Sequence, residues 1–139
     1  MTRLILKRNL TLSVFSFFAL HSLAYTHDWY RSLAWIDIPV HFLAGILTAA
    51  VFYWFFQMFP SHFDPARNFV ITLILVLGWA ALVGVAWEFT EFIYDWLVIT
   101  YVFPWQPLQF GLKDTIGDLL FDLLGALTLA VFVRLRYHK

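Results

Sequence analysis

Asp37 and His41 stand four residues apart, as do Asp114, Asp118 and Asp122, while Glu88, Glu91 and Asp95 follow at intervals of three and four. Residues three or four apart share one face of an α-helix. Each group therefore projects as a carboxylate stripe, the first with an imidazole added. At 100° per residue Glu88 and Asp95 point within about 20° of each other, with Glu91 about 60° away. Carboxylates with one histidine suit a hard divalent cation: Mg²⁺, Mn²⁺ or Ca²⁺, with Zn²⁺ or iron also admitted. The expected metal ligands are Asp37, His41, Glu88, Asp118 and Asp122. Asp95, Asp114 and His21 are further candidates. Glu88 and Glu91 are candidate catalytic acid–base groups, and Arg31 and Lys113 candidate contacts for a substrate anion. The same clusters admit a second chemistry, in which burial and like charge keep several carboxyls protonated as in a proton relay. Acids near a helix end also admit simple hydration.

The elements that must carry these stripes are membrane spans. The chain has 139 residues, 62% hydrophobic and 13% charged, with a mean hydropathy of +0.76. Soluble domains average about 25% charged residues, so an integral membrane protein is the class that fits. Seven of the nine carboxylates nevertheless fall inside or at the edge of the apolar segments. One such group at the centre of a span costs about 2.5–3.5 kcal/mol on insertion scales, so a functional site is the default reading. Formal net charge is zero and there are no cysteines. Nothing therefore points to nucleic acid, disulfides or thiolate chemistry. No Gly-rich phosphate loop, His-Glu-x-x-His helix or Ser–His–Asp order is present.

Four spans of about 20 residues are expected, near 9–26, 38–59, 69–96 and 114–133, forming one domain over 1–139. The basic start and apolar run of the first read as a retained helix rather than a cleaved signal. Pro39 suits the first turn of the second. Pro60 should stop it, and Pro104 and Pro107 should break the stretch before the fourth. Gly78, Gly84, Gly117 and Gly125 permit close helix packing.

Orientation follows from Lys and Arg. Arg3, Lys7, Arg8, Arg67, Arg134, Arg136 and Lys139 fall on one side, with only Arg31 and Lys113 on the other. Both termini are thus expected in the cytoplasm. Trp29, Trp35, Trp96 and Trp105 then mark the outer interface. All three acidic stripes lie in the outer part of the membrane. The loop 103–108 would cap the site or lie on lipid.

Three stretches carry a family resemblance: Asp37-Ile-Pro-Val-His41-Phe42, Trp87-Glu88-Phe-Thr-Glu91, and Asp114-Thr-Ile-Gly-Asp118-Leu-Leu-Phe-Asp122-Leu-Leu-Gly125. In order and spacing they resemble the VanZ-like family of small bacterial membrane proteins, over residues 37–133. Ile38 stands where that family tends to have Lys, Asp122 where it often has Asn, and Glu91 near its Gln. The extra acidity is similar to the YjdF-like branch. The resemblance implies a polytopic protein of the cell envelope, since VanZ is linked to resistance to the glycopeptide teicoplanin. By position it supports Asp37, His41, Glu88, Asp118 and Asp122 as the site.

The expectation is an all-α, compact antiparallel four-helix bundle in the cytoplasmic (inner) membrane of a prokaryote, with an outward-facing divalent-metal site. It would bind or act on a lipid headgroup or envelope glycolipid, as a metal-dependent intramembrane hydrolase or transferase. A proton- or cation-coupled transport module, expected as a homo-oligomer because four short helices leave little room for an internal pathway, and a non-catalytic envelope accessory protein are the alternatives.

Overall fold

The computed structural model describes residues 2–33, 35–58, 68–102 and 107–137 and, within these, the side chains of 8–136. Among them the chain is all helical. The order is α1 (Thr2–Thr26), a single turn α2 (Trp29–Ser32), α3 (Asp37–Phe56), α4 (Phe69–Tyr94) and α5 (Leu112–Tyr137). A π-helical turn, Asp95–Ile99, continues α4. The expected stop at Pro60, the break at Pro104 and the interfacial Trp105 lie outside the described residues.

Local chemistry sets these boundaries. Asn68 is extended, and its side-chain oxygen accepts from the N–H groups of Val70 (3.1 Å) and Ile71 (3.2 Å), satisfying donors that a helix start leaves free. Pro39 sits in the first turn of α3, where a missing N–H does no harm. Gly111 precedes α5 at φ 110°, a backbone conformation that a Cβ would oppose.

Among the described residues, three helices are long and apolar enough to cross a membrane: Asp37–Phe56, Phe69–Ile99 and Leu112–Arg136. The sequence leads one to expect four. α1 has the length, at 25 residues, but Arg8, Asn9, Ser13, Ser16, His21 and Ser22 dilute its apolar run. Large apolar side chains such as Val70, Ile74, Leu82, Phe89, Phe132 and Leu135 are exposed. In water that surface would be an aggregation site; in lipid it is the outside of a bundle.

α3 and α5 run parallel and form the closest pair, with α4 antiparallel to both. The Arg134 guanidinium lies 5.5 Å above the Phe69 ring, fixing the end of α5 beside the start of α4. Where α3 meets α5, a Cβ on Gly45 would overlap the backbone of Asp122, and one on Gly125 would overlap the carbonyl of Phe42. These two glycines let the backbones touch. Gly84 meets the Asp122 side chain, whereas Gly78 and Gly117 face open space and serve no close packing here. Gly45, which sequence reading passed over, is among the positions that matter.

The apolar core of Ala49, Phe52, Tyr53, Val76, Ala80, Ala126 and Ala130 fills the half of the bundle away from the acids. Small residues dominate it, as expected where packing rather than water exclusion holds helices together. α1 packs more loosely, against α3 and α2 and, through Phe18, His21 and Tyr25, against Trp87 and Tyr94 of α4. Ala24 is its only fully buried side chain among those described.

Candidate metal centre

The start of α3, the end of α4 and the start of α5 meet at one end of the bundle, because α4 reverses the chain between two parallel neighbours. His41, Glu88, Glu91, Asp118 and Asp122 are all buried there, at 5–7% exposure. Burial this deep leaves these five little contact with bulk water. Asp37 is half-buried.

His41 is the centre of the group. Its Nε2 lies 3.5 Å from Asp37 Oδ1 and 3.8 Å from Asp118 Oδ1, and its Nδ1 lies 3.5 Å from Asp122 Oδ1. All three separations exceed a normal hydrogen bond of about 2.7–3.2 Å. His41 Nδ1 and Asp122 Oδ1 are both fully enclosed without a hydrogen bond. One ligand atom each from Asp37, His41 and Asp118 fall within 4.8 Å of one another. Atoms bound to a common cation at about 2.0–2.6 Å sit roughly 3–4 Å apart, so this group could hold a metal ion.

Two of the five expected ligands stand apart from that trio. Asp122 faces the other ring nitrogen. Its Oδ1 lies 3.5 Å from His41 Nδ1, on the side of the ring away from the trio and too far for a hydrogen bond. Glu88 turns to the loop before α5: Gln109 Nε2 donates to Glu88 Oε2 (3.0 Å) and to the Glu88 backbone carbonyl (3.1 Å). Its Oε1 is enclosed and without a partner.

The remaining candidates take other roles. Glu91 Oε1 accepts from Trp87 Nε1 at 2.9 Å, and Glu91 faces the same cavity as His41. Asp95 accepts from the backbone N–H groups of Leu108 and Gln109 at 2.9–3.1 Å. Asp114 accepts from Phe110 N at 3.0 Å. Both acids tie down the loop rather than enter the trio. Asp95 also opens the π-helical turn, a distortion that often marks functional sites. Arg31 donates to Asp28 from Nε (3.0 Å) and Nη2 (2.6 Å) at the exposed surface. Lys113 is exposed, and neither cation lines the cavity. The expectation that they hold a substrate anion beside the acids therefore finds no support in the geometry.

Sequence reading missed Tyr30 and Gln109, and placed Trp87 in a motif without its role as donor to Glu91. Tyr30 and His21 Nδ1 share a hydrogen bond of 2.7 Å, joining α2 to α1 beside the site. Burial, and then the nearby Asp37, Glu91 and Asp118, push the Tyr30 phenol above its ordinary pKa, so it keeps its proton. No spacing rule flags a tyrosine in a one-turn helix. Trp87 precedes Glu91 by four residues, a visible signal in retrospect.

An uncharacterised protein of Thermotoga maritima is 31% identical over 106 residues, 76% of this chain. The chain spans about half the length of that relative, 51%. No solved structure matches the chain. The family model of predicted membrane proteins called DUF2238 matches residues 1–139 throughout, and with helices of membrane-spanning length beneath that match the chain belongs to this family.

Proposed function

We propose that the protein binds a divalent cation through Asp37, His41 and Asp118, and uses it to bind or transform a phosphate- or sugar-bearing lipid headgroup. One observation carries this reading: three ligand atoms from two helices converge within 4.8 Å around a buried imidazole that has no hydrogen bond at either carboxylate distance. Without a cation, buried carboxylates so close together are poorly compensated. A bound ion would supply Lewis acidity toward a headgroup oxygen. Glu91, on the cavity wall, is the candidate base. Asp122 faces the other ring nitrogen, where closing the 3.5 Å gap to a hydrogen bond would orient the imidazole.

The site would face outward in the inner membrane of a prokaryote. Both termini would be cytoplasmic and α1 would complete four spans; the seven-to-two split of basic residues supports this. The three motif stretches support a place among VanZ-like proteins of the envelope. Proton- or cation-coupled transport is the second reading, favoured by the enclosed, unpartnered oxygens of Glu88 and Asp122.

Chelation separates the two. On the metal reading a chelator lowers the thermal midpoint of the purified protein, and one of Mg²⁺, Mn²⁺, Ca²⁺ or Zn²⁺ restores it. Saturation at 100 Kd contributes about 2.7 kcal/mol. An unchanged midpoint favours protonated acids.

A further inference from the structure

A cavity of about 230 Å³ opens between α1, α3 and α4. Its wall on α3 runs from Asp37 to Val51, and its wall on α4 from Glu91 back to Trp79. At 1.5 Å per residue these walls extend about 21 Å and about 18 Å along the helix axes. α1 supplies Val14, Phe17, Phe18 and His21, spaced as one helical face. The cavity is therefore a slot along the bundle, not a round chamber.

Its polarity changes sharply along its length. Asp37, His41, Glu91, Tyr30 and His21 gather at one end. Asp122, level with Gly45 and Gly84, follows them inward; past it the lining is mostly apolar, with Leu47, Val51, Val83 and Ala80 typical and only Thr48 and the Trp79 indole polar. An ion or proton path needs polar groups along its whole course, and past Thr48 this slot offers only the Trp79 indole N–H. Apolar cavities stay dry and take apolar ligands. The volume is below the range of about 300–1,000 Å³ usual for drug-sized ligands, so a single slender chain fits better than a bulky group. Helices of membrane-spanning length set this slot among lipid chains. At the polar end, three protein ligands leave a divalent ion with open positions, which oxygen donors such as phosphate fill.

We infer that the slot holds one hydrocarbon chain of a phosphate-headed membrane lipid, with its phosphate at the Asp37–His41–Asp118 end. The headgroup half of this inference rests on the metal reading above; the slot half rests on the cavity.

The test uses the full chain, purified in mild detergent with Mg²⁺ or Mn²⁺ and offered 1-oleoyl lysophosphatidic acid or farnesyl phosphate. Native mass spectrometry reads retained lipid, and elemental analysis reads metal on the same sample. One lipid per chain is expected. Retention of the first probe identifies an acyl chain, and of the second a prenyl chain. Thr48→Phe on α3 and Val83→Phe on α4 fill the slot from opposite walls, and each should cut retention at least tenfold with metal content unchanged. Ile74→Phe, on the exposed face of α4, should retain lipid as the parent does. Metal present with neither probe retained, or retention in both filled variants equal to the parent's, overturns the slot and leaves the metal reading intact. Lipid retained with no metal overturns the metal reading instead, and the phosphate end of this proposal with it.

Discussion

The Asp122 carboxylate occupies the space that a side chain at Gly84 would need: a Cβ there would lie 2.7 Å from Asp122 Oδ2 and 3.0 Å from Leu119 Cδ2. Gly45 clears the backbone of the same aspartate from the α3 side. Two glycines on two helices thus seat one acid against His41 Nδ1.

Gly84→Ala should therefore displace Asp122 and destabilise the protein by about 1–3 kcal/mol, the usual cost of overpacking a filled site. Gly78→Ala, which meets nothing within 4 Å, should be neutral or stabilising by up to about 1 kcal/mol, as helix propensity predicts. Thermal unfolding in detergent compares the two. Equal midpoints would mean that Gly84 has no seating role.

Asp118 and Asp122 should part company in metal binding, although they lie one turn apart. Asp118→Asn removes a ligand of the trio and should abolish stoichiometric metal. Asp122→Asn removes the charge facing His41 Nδ1 and should weaken affinity by about 10–100-fold while leaving metal at saturating concentration. Titration of each purified variant with the restoring ion reads this directly. Identical losses would place both residues in the same role.

Much of this arrangement was legible in the sequence, because i, i+4 spacing survives any detail of packing. Asp37 and His41, and Asp118 and Asp122, are paired by helix geometry alone, and alternation of helix direction brings their ends together. What the sequence does not carry is which ring nitrogen meets which acid. That depends on the α3–α5 crossing at Gly45 and Gly125. Nor does it carry the diversion of Glu88 to Gln109, a contact across 21 residues and a loop. The apolar slot is likewise a product of α1 packing loosely over α3, which no single helix encodes. α1 itself reads as a span by length, and falls short of the other three in apolarity.

Gln109 should matter for stability although no chemistry runs through it. Gln109→Ala leaves the buried Glu88 with neither oxygen paired by a side chain. An unsatisfied buried group costs about 1–3 kcal/mol, so the thermal midpoint should fall. Hydrogen exchange should also quicken in the loop, at Leu108 and Gln109, if Asp95 alone cannot hold it. An unchanged midpoint would show that Glu88 finds another partner or is solvated.

The orientation is tested by single cysteines, of which the chain has none of its own. Cysteine at exposed Arg31 or Lys113 should react with an impermeant reagent added outside intact cells, and cysteine at Arg8 should not. The reverse pattern would turn the acidic end to the cytoplasm.

Elemental analysis of the purified protein, before and after exhaustive chelation, tests the central claim most directly. The account predicts about one equivalent of a divalent metal per chain, consistent with a single buried trio among the described residues. It also predicts loss of that metal on chelation and its return when the ion is added back. Protein that is folded, contains no stoichiometric metal as purified, and takes up none of Mg²⁺, Mn²⁺, Ca²⁺ or Zn²⁺ would contradict it.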